Sequence, residues 1–206
     1  MEFLELAEHT AAETQQFQFV AVDEDWQETR CTSLGLRKVF PVPLAAVKPC
    51  DIGSPRMVVQ ISEDGNCWFR SIAYYMSGDQ DQHGAVRTAV TKFMRETIRK
   101  EVINFTKTKE KPNYFENWAM AEDKVWATDI EIFATAALLG TDIYVFTKPS
   151  RIFNKRLRGY QNPSWRWELF RSTVFQRVKG RPKRIQRSLY IFHQNRNHYM
   201  PVITTY

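Results

Sequence analysis

Long apolar runs are missing from this 206-residue chain: the best, Ile132 to Leu139, is under half of the roughly 18–20 residues that a bilayer span needs. Cysteine is scarce. Cys31, Cys50 and Cys67 are odd in number, far apart and without a Cys-x-x-Cys pair, which excludes a disulfide framework and a structural zinc site. Each thiol is therefore read as free, in a reducing cytoplasmic or nuclear compartment. No cluster of metal ligands, glycine-rich phosphate loop or cofactor fingerprint is present, so neither metal nor cofactor is expected. The opening Met1-Glu2-Phe3-Leu4-Glu5-Leu6 is acidic and lacks the basic-then-apolar order of a secretory leader. Membrane and classically secreted classes do not fit. What is present, 43% hydrophobic and 25% charged residues, suits a soluble globular chain rather than a disordered one.

Charge is unevenly placed. Lys148 to Arg187 holds 13 of the 29 Lys and Arg residues against Glu168 alone, a net of +12, so the rest of a chain with net charge +6 carries −6. Much of that acid lies in the first 30 residues, where Glu2, Glu5, Glu8, Glu13, Asp23, Glu24, Asp25 and Glu28 oppose only Arg30. The basic block, interleaved with Phe153, Tyr160, Trp165, Trp167, Phe170 and Phe175, has the composition to bind nucleic acid by neutralising phosphates and stacking on bases. A solvated face, or pairing with the acidic N-terminal block, explains it equally well, and no nucleic-acid motif accompanies it.

Along the chain, residues 1–40 show no sustained period, and Pro41, Pro43, Pro49, Gly53 and Pro55 break any regular element. A boundary is placed there, giving an N-terminal extension or accessory segment over 1–55 and a main domain over 56–206. Met57 to Ile61 is β-prone. The turn cluster Ser62-Glu63-Asp64-Gly65-Asn66 leads into Cys67–Met76, an aromatic-rich segment stopped by Gly78 and read as a helix with Cys67 in its first turn. Val86, Val90, Phe93, Met94 and Ile98 recur at helical spacing and predict one helix from about Gln82 to Phe105. Another covers Asp129 to Leu139. Strands are expected at Asp142–Thr147, Trp165–Phe170, Ser188–His193 and His198–Ile203. Helices first and strands later give an α+β fold. Trp118, Trp126, Phe133, Tyr144 and Phe146 are expected mostly in the core.

Cys67 has the local setting of a nucleophile. Thiolate is the reactive form, and a helix N-terminus lowers a thiol pKa. Gly65 allows a turn that points several N–H groups into one space, where an oxyanion could sit. A base is needed, and His198, between the polar Gln194-Asn195-Arg196-Asn197 and an apolar strand, is the natural candidate. His193 falls on the strand face of Leu189 and Ile191, which suits packing.

The run Asp64-Gly65-Asn66-Cys67-Trp68-Phe69-Arg70-Ser71-Ile72-Ala73 resembles the nucleophile motif of the ovarian tumour (OTU) family of cysteine proteases, the papain-like deubiquitinases. His83-Gly84-Ala85-Val86-Arg87, Trp126 to Ile132 followed by Ile143-Tyr144-Val145-Phe146, and Asn197-His198-Tyr199-Met200-Pro201-Val202 resemble further family segments in the same order. Together they span about 56–204. The resemblance implies a papain-like fold with a small central mixed sheet packed between helices. It implies a thiol-dependent deubiquitinase, with Cys67 attacking the isopeptide carbonyl after the C-terminal glycine of ubiquitin or a ubiquitin-like modifier. His198 would move the proton, and the backbone N–H groups of Asp64, Gly65, Asn66 and Cys67 would hold the oxyanion. Ubiquitin or polyubiquitin chains would be the partner and the chain a monomer, with no membrane involved. His83 and Arg87 are structural by the same comparison.

The third triad position is where the sequence departs from the family. Two residues after the histidine stands Met200, where many members carry Asp or Asn to orient the imidazole. Asn195, Asn197 and Asp51 are the candidate replacements. Asn195 is preferred over Asn197, which is adjacent to His198 and points the opposite way in an extended segment; Asn195 stands three positions before the histidine and serves only if the strand extends that far. Asp64 shapes the nucleophile loop or joins the catalytic set. A catalytically weak or inactive OTU-like module that binds ubiquitin is the alternative reading, with or without nucleic-acid binding at 148–187.

Overall fold

The computed structural model of the chain describes residues 18–39, 50–108, 114–117, 119–148, 152–154, 159–161, 164–174 and 187–206. Alternating Ile143, Val145 and Thr147 make β4 (Asp142–Thr147) a strand with one buried face. It pairs in parallel with β8 (Ser188–Gln194) and antiparallel with β7 (Arg166–Phe170). β9 (His198–Thr205) returns antiparallel along β8 and carries β3 (Pro55–Val58) on its far side. The resulting mixed sheet has five strands in the order β3-β9-β8-β4-β7. Two short two-stranded pairs complete the described strands: β1 (Gln18–Phe19) with β2 (Cys50–Asp51), and β5 (Ile152–Asn154) with β6 (Gly159–Gln161). The fold is α+β, as the order of elements in the sequence predicts.

The described helices are α1 (Glu24–Leu34), α2 (Cys67–Ser77), α3 (His83–Glu96), α4 (Arg99–Thr108), the single turn α5 (Tyr114–Asn117) and α6 (Asp129–Leu139). Their apolar sides share one core with the sheet: Trp68, Phe69, Ile72, Val90, Met94 and Ile132 meet Ile143, Val145, Leu189 and Ile191. The opposite sheet face is an aromatic ladder, in which Tyr144 stacks on its cross-strand partner Tyr190 at 5.3 Å. Phe19 covers Tyr190 there.

Where one helix was expected from about Gln82 to Phe105, there are two, α3 and α4. The chain breaks at Thr97 and Ile98, whose N–H groups both turn back to the Phe93 carbonyl, and the turn buries Ile98. A β-branched pair resists helical continuation, and burial of the isoleucine decides the matter. Trp126 was expected in the core but is 54% exposed. Trp118 lies outside the described residues, and so does most of the basic block 148–187. Of the block's described members, Arg187 pairs with Asp23 at 2.8 Å and Arg166 with Glu168 at 3.0 Å.

Residues 18–39 pack into the core of the main domain. Cys31 and Leu36 are buried with α2 and α3, the Gln27 amide donates to the Tyr75 carbonyl, and Ser188 N–H donates to Val20 O.

Candidate active site

The loop Ser62–Asn66 is held from inside. Asp64 Oδ1 accepts from Asn66 N–H at 3.0 Å, and Arg70, one turn into α2, clamps the same carboxylate with Nη2 to Oδ2 at 2.7 Å. The guanidinium beside it holds the Asp64 carboxyl well below the usual carboxylate range. Gly65 has φ +85°, and a Cβ there would stand 2.2 Å from the Lys124 carbonyl oxygen, so only glycine lets the neighbouring loop approach. Asn66 is buried, and its Oδ1 accepts from Arg87 Nη2 at 2.7 Å and from Lys124 N–H at 2.9 Å. Arg87 also donates to the carbonyls of Met120 and Val125 and lies 4.2 Å over the Phe69 ring. This buried arginine ties the nucleophile loop, α3 and the 119–128 loop together.

Cys67 is the first residue of α2 and is 6% exposed. Its Sγ donates to the Asn197 carbonyl at 3.7 Å, which places the sulfur beside the residue that precedes His198. Two segments far apart in the chain are thus brought together. The sequence expectation of a lowered thiol pKa is not met: burial pushes the thiol up, outweighing the backbone N–H groups of Tyr199, Trp68 and Cys67 that favour thiolate.

His198 opens β9 and is 4% exposed, and neither ring nitrogen has a hydrogen-bond partner among the described residues. Glu63 Oε1 stands 3.9 Å from its Nε2. Its strand neighbour Tyr199 faces the other way, packing edge-on against Trp68 at 5.2 Å and stacking on His193 at 4.1 Å.

The β8–β9 connection is the three-residue loop 195–197, in which Asn195 (φ +49°) and Arg196 (φ +63°) are both left-handed and Asn197 N–H donates to Gln194 O. These are the marks of a type I′ turn, whose twist suits a hairpin. The turn overturns the reasoning that favoured Asn195: the strand does not extend through it, and the residue is exposed at the hairpin tip, in no hydrogen bond with the imidazole. Asp64 is occupied by Arg70 and Asn66. Asn197 contributes its carbonyl to Cys67. The Asp51 side chain lies outside what the structure describes. Met200 is packed in the core at 2% exposure. Of the proposed oxyanion donors, Asn66 N–H is already taken by Asp64.

A cavity of about 180 Å³ is lined by Tyr199, Asp129, Glu168, Lys148, His193 and Arg196 among others. Sequence reasoning missed Glu63. No spacing rule singles it out, because its partner is reached only through the fold. It also missed Asn66 as the acceptor that joins two loops.

A cysteine at the head of a helix, set against a histidine that opens a strand of a mixed sheet, is the layout of thiol peptidases. Residues 62–179 match the family model described as OTU-like cysteine protease, and the chain belongs to this OTU family. It is 28% identical over 108 residues to OVARIAN TUMOR DOMAIN-containing deubiquitinating enzyme 7 of Arabidopsis thaliana, a match covering 48% of this chain and 28% of that protein. The chain therefore spans only a minor part of that relative's length. Among solved structures, the OTUD1 OTU domain superposes with a TM-score of 0.51 at 19% identity, covering 70% of this chain and 83% of that one. The Hazara virus OTU bound to ubiquitin gives 0.48 at 15% identity, covering 78% and 91%.

Proposed function

We propose that the chain is a cysteine isopeptidase that hydrolyses the bond after the C-terminal glycine of ubiquitin or a ubiquitin-like modifier. One observation carries the reading: the Cys67 sulfur lies against the backbone of the His198 strand, and the His198 nitrogens are buried without hydrogen-bond partners among the described residues. A buried imidazole with unspent hydrogen-bonding capacity is costly unless it serves a purpose, and accepting a thiol proton is the purpose its neighbour offers.

In this mechanism His198 takes the Cys67 proton as the sulfur attacks the carbonyl. N–H groups of the 64–67 loop other than the Asn66 donor hold the oxygen as its charge develops. The proton then passes to the departing lysine amine, and water releases the thioester. Because Cys67 is nearly enclosed, the substrate tail has to part the contact between Cys67 and Asn197 to reach the sulfur.

The test is incubation with polyubiquitin chains and with ubiquitin bearing a C-terminal electrophile. Labelling of the intact protein at Cys67, lost in Cys67→Ala and reduced at least 100-fold in His198→Ala, is expected. Chain cleavage by Cys67→Ala at the parent rate would refute the reading. Met200 motivates a second reading, a ubiquitin-binding module without turnover; ubiquitin affinity with no labelling, unchanged by His198→Ala, identifies it.

A further inference from the structure

Thiol catalysis needs both nitrogens of its imidazole. One takes the proton from sulfur, and the other is held by a partner that fixes the ring and its tautomer and steadies the positive charge once it forms. In this chain the partner's usual place is filled by Met200, an apolar side chain sealed in the core. Asn195 is turned away at the hairpin tip, and both Asp64 oxygens are spent on Arg70 and Asn66.

One carboxylate does face the ring. Glu63 Oε1 lies 3.9 Å from His198 Nε2, close enough for an ion pair but about 1 Å too long for a hydrogen bond. Glu63 immediately precedes the Arg70-anchored Asp64, so its backbone is fixed, while its side chain is 76% exposed and free to make that last movement. No other acidic group is found within ion-pair distance of His198 among the described residues.

We infer that Glu63 is the positioning residue of this site, replacing the orienting acid that Met200 cannot supply. Its carboxylate accepts Nε2–H, which leaves Nδ1 as the lone pair for the Cys67 proton. When the proton moves from Sγ to Nδ1, the negative carboxylate offsets the charge on the ring. When the amine leaves, the same proton returns through Nδ1 and Glu63 remains ionised throughout. The nucleophile loop then supplies both the sulfur and the group that tunes its base, an arrangement in which loop and histidine strand must close on each other for either to work. The inference rests on the reading of Cys67 as nucleophile and His198 as base.

The experiment compares wild type, Glu63→Gln, Glu63→Asp, Glu63→Ala and His198→Ala by two measurements. The first, which needs no ubiquitin, is the second-order rate of iodoacetamide alkylation at Cys67 at neutral pH, read by mass spectrometry. The second is kcat and KM on a fluorogenic C-terminal ubiquitin amide. Glu63→Gln and Glu63→Ala are expected to slow alkylation about tenfold, the low end for a nearby charge because the carboxylate is exposed. They lower kcat similarly and leave KM and the melting temperature unchanged, and Glu63→Asp recovers part of the rate. Alkylation of Glu63→Gln at the wild-type rate overturns the inference. Equal alkylation of wild type and His198→Ala overturns it together with the base assignment. Glu63-dependent alkylation in a protein that leaves ubiquitin substrates intact upholds the inference and sinks the substrate reading alone.

Discussion

His193 and His198 belong to one hairpin yet meet opposite conditions. His198 is enclosed beside the nucleophile, whereas His193 lies flat on Tyr199, its Nδ1 3.4 Å from the Thr147 hydroxyl. Burial lowers the His193 pKa from its ordinary value near 6.5 to about 4. Between those two values the unfolded chain binds a proton that the folded chain refuses. The stability owed to neutral His193 is thus complete above about pH 6.5 and drains away as pH falls toward 4. Urea melts of wild type and His193→Phe, a change that keeps the stacking and removes the titration, are expected to differ less in stability at pH 7 than at pH 4.5, where wild type loses ground. Parallel pH slopes for the two proteins would assign the acid sensitivity elsewhere. The role of His193 as a packing residue was legible from strand alternation alone. The Cys67 thiol was not: a helix start argues for thiolate, and only the fold shows that burial outweighs it.

At the scale of elements, the nucleophile loop is one half of a pair. The 119–128 loop presents the Lys124 carbonyl to Gly65 and the Lys124 N–H to Asn66, with Lys124 itself left-handed at φ +64°. Gly65→Ala forces a methyl group to within 2.2 Å of a backbone oxygen and holds alanine at positive φ. A loss of about 1–3 kcal/mol is expected from the backbone strain alone, seen as a lower melting temperature, with probe labelling of Cys67 falling further than stability does. Intact labelling at a lowered melting temperature would show that loop geometry does not govern the sulfur. The loop–helix unit Asp64–Gly78 and strands β4 and β9 were readable beforehand because their signals are local: a turn cluster, an apolar run, a stop. The break between α3 and α4 was hidden, since Ile98 keeps the apolar period through a turn. The pairing of the two loops was hidden because it runs through Arg87 and Asn66, polar residues whose burial no periodicity announces.

For the molecule as a whole, the packing of residues 18–39 against the main domain is the feature that the sequence least announces. α1 reads as polar, and its buried residues are Gln27 and Cys31; a side-chain donor from each to the last carbonyls of α2 makes that burial tolerable. No hydrophobic stripe betrays such a helix. Phe19, Val22, Cys31 and Leu36 are all buried, and at about 1.5–3 kcal/mol for each large apolar side chain, the loss of Phe19, Val22 and Leu36 alone is comparable to the net stability of many domains. A chain starting at residue 56 is accordingly expected to be unfolded or to melt far below the full sequence by calorimetry. An unchanged melting temperature would make 18–39 a dispensable decoration. The attachment also links sequence extremes: Val20 N–H donates to the Tyr190 hydroxyl, and Ala21 bridges in parallel to Ser188. During synthesis, then, the earliest of these strands leaves the ribosomal tunnel with no docking surface and has to wait until residues near 190 emerge. Closure of the sheet is a late event, and a nascent chain stalled halfway would display the bare aromatic face of Phe19 to whatever chaperone is at hand.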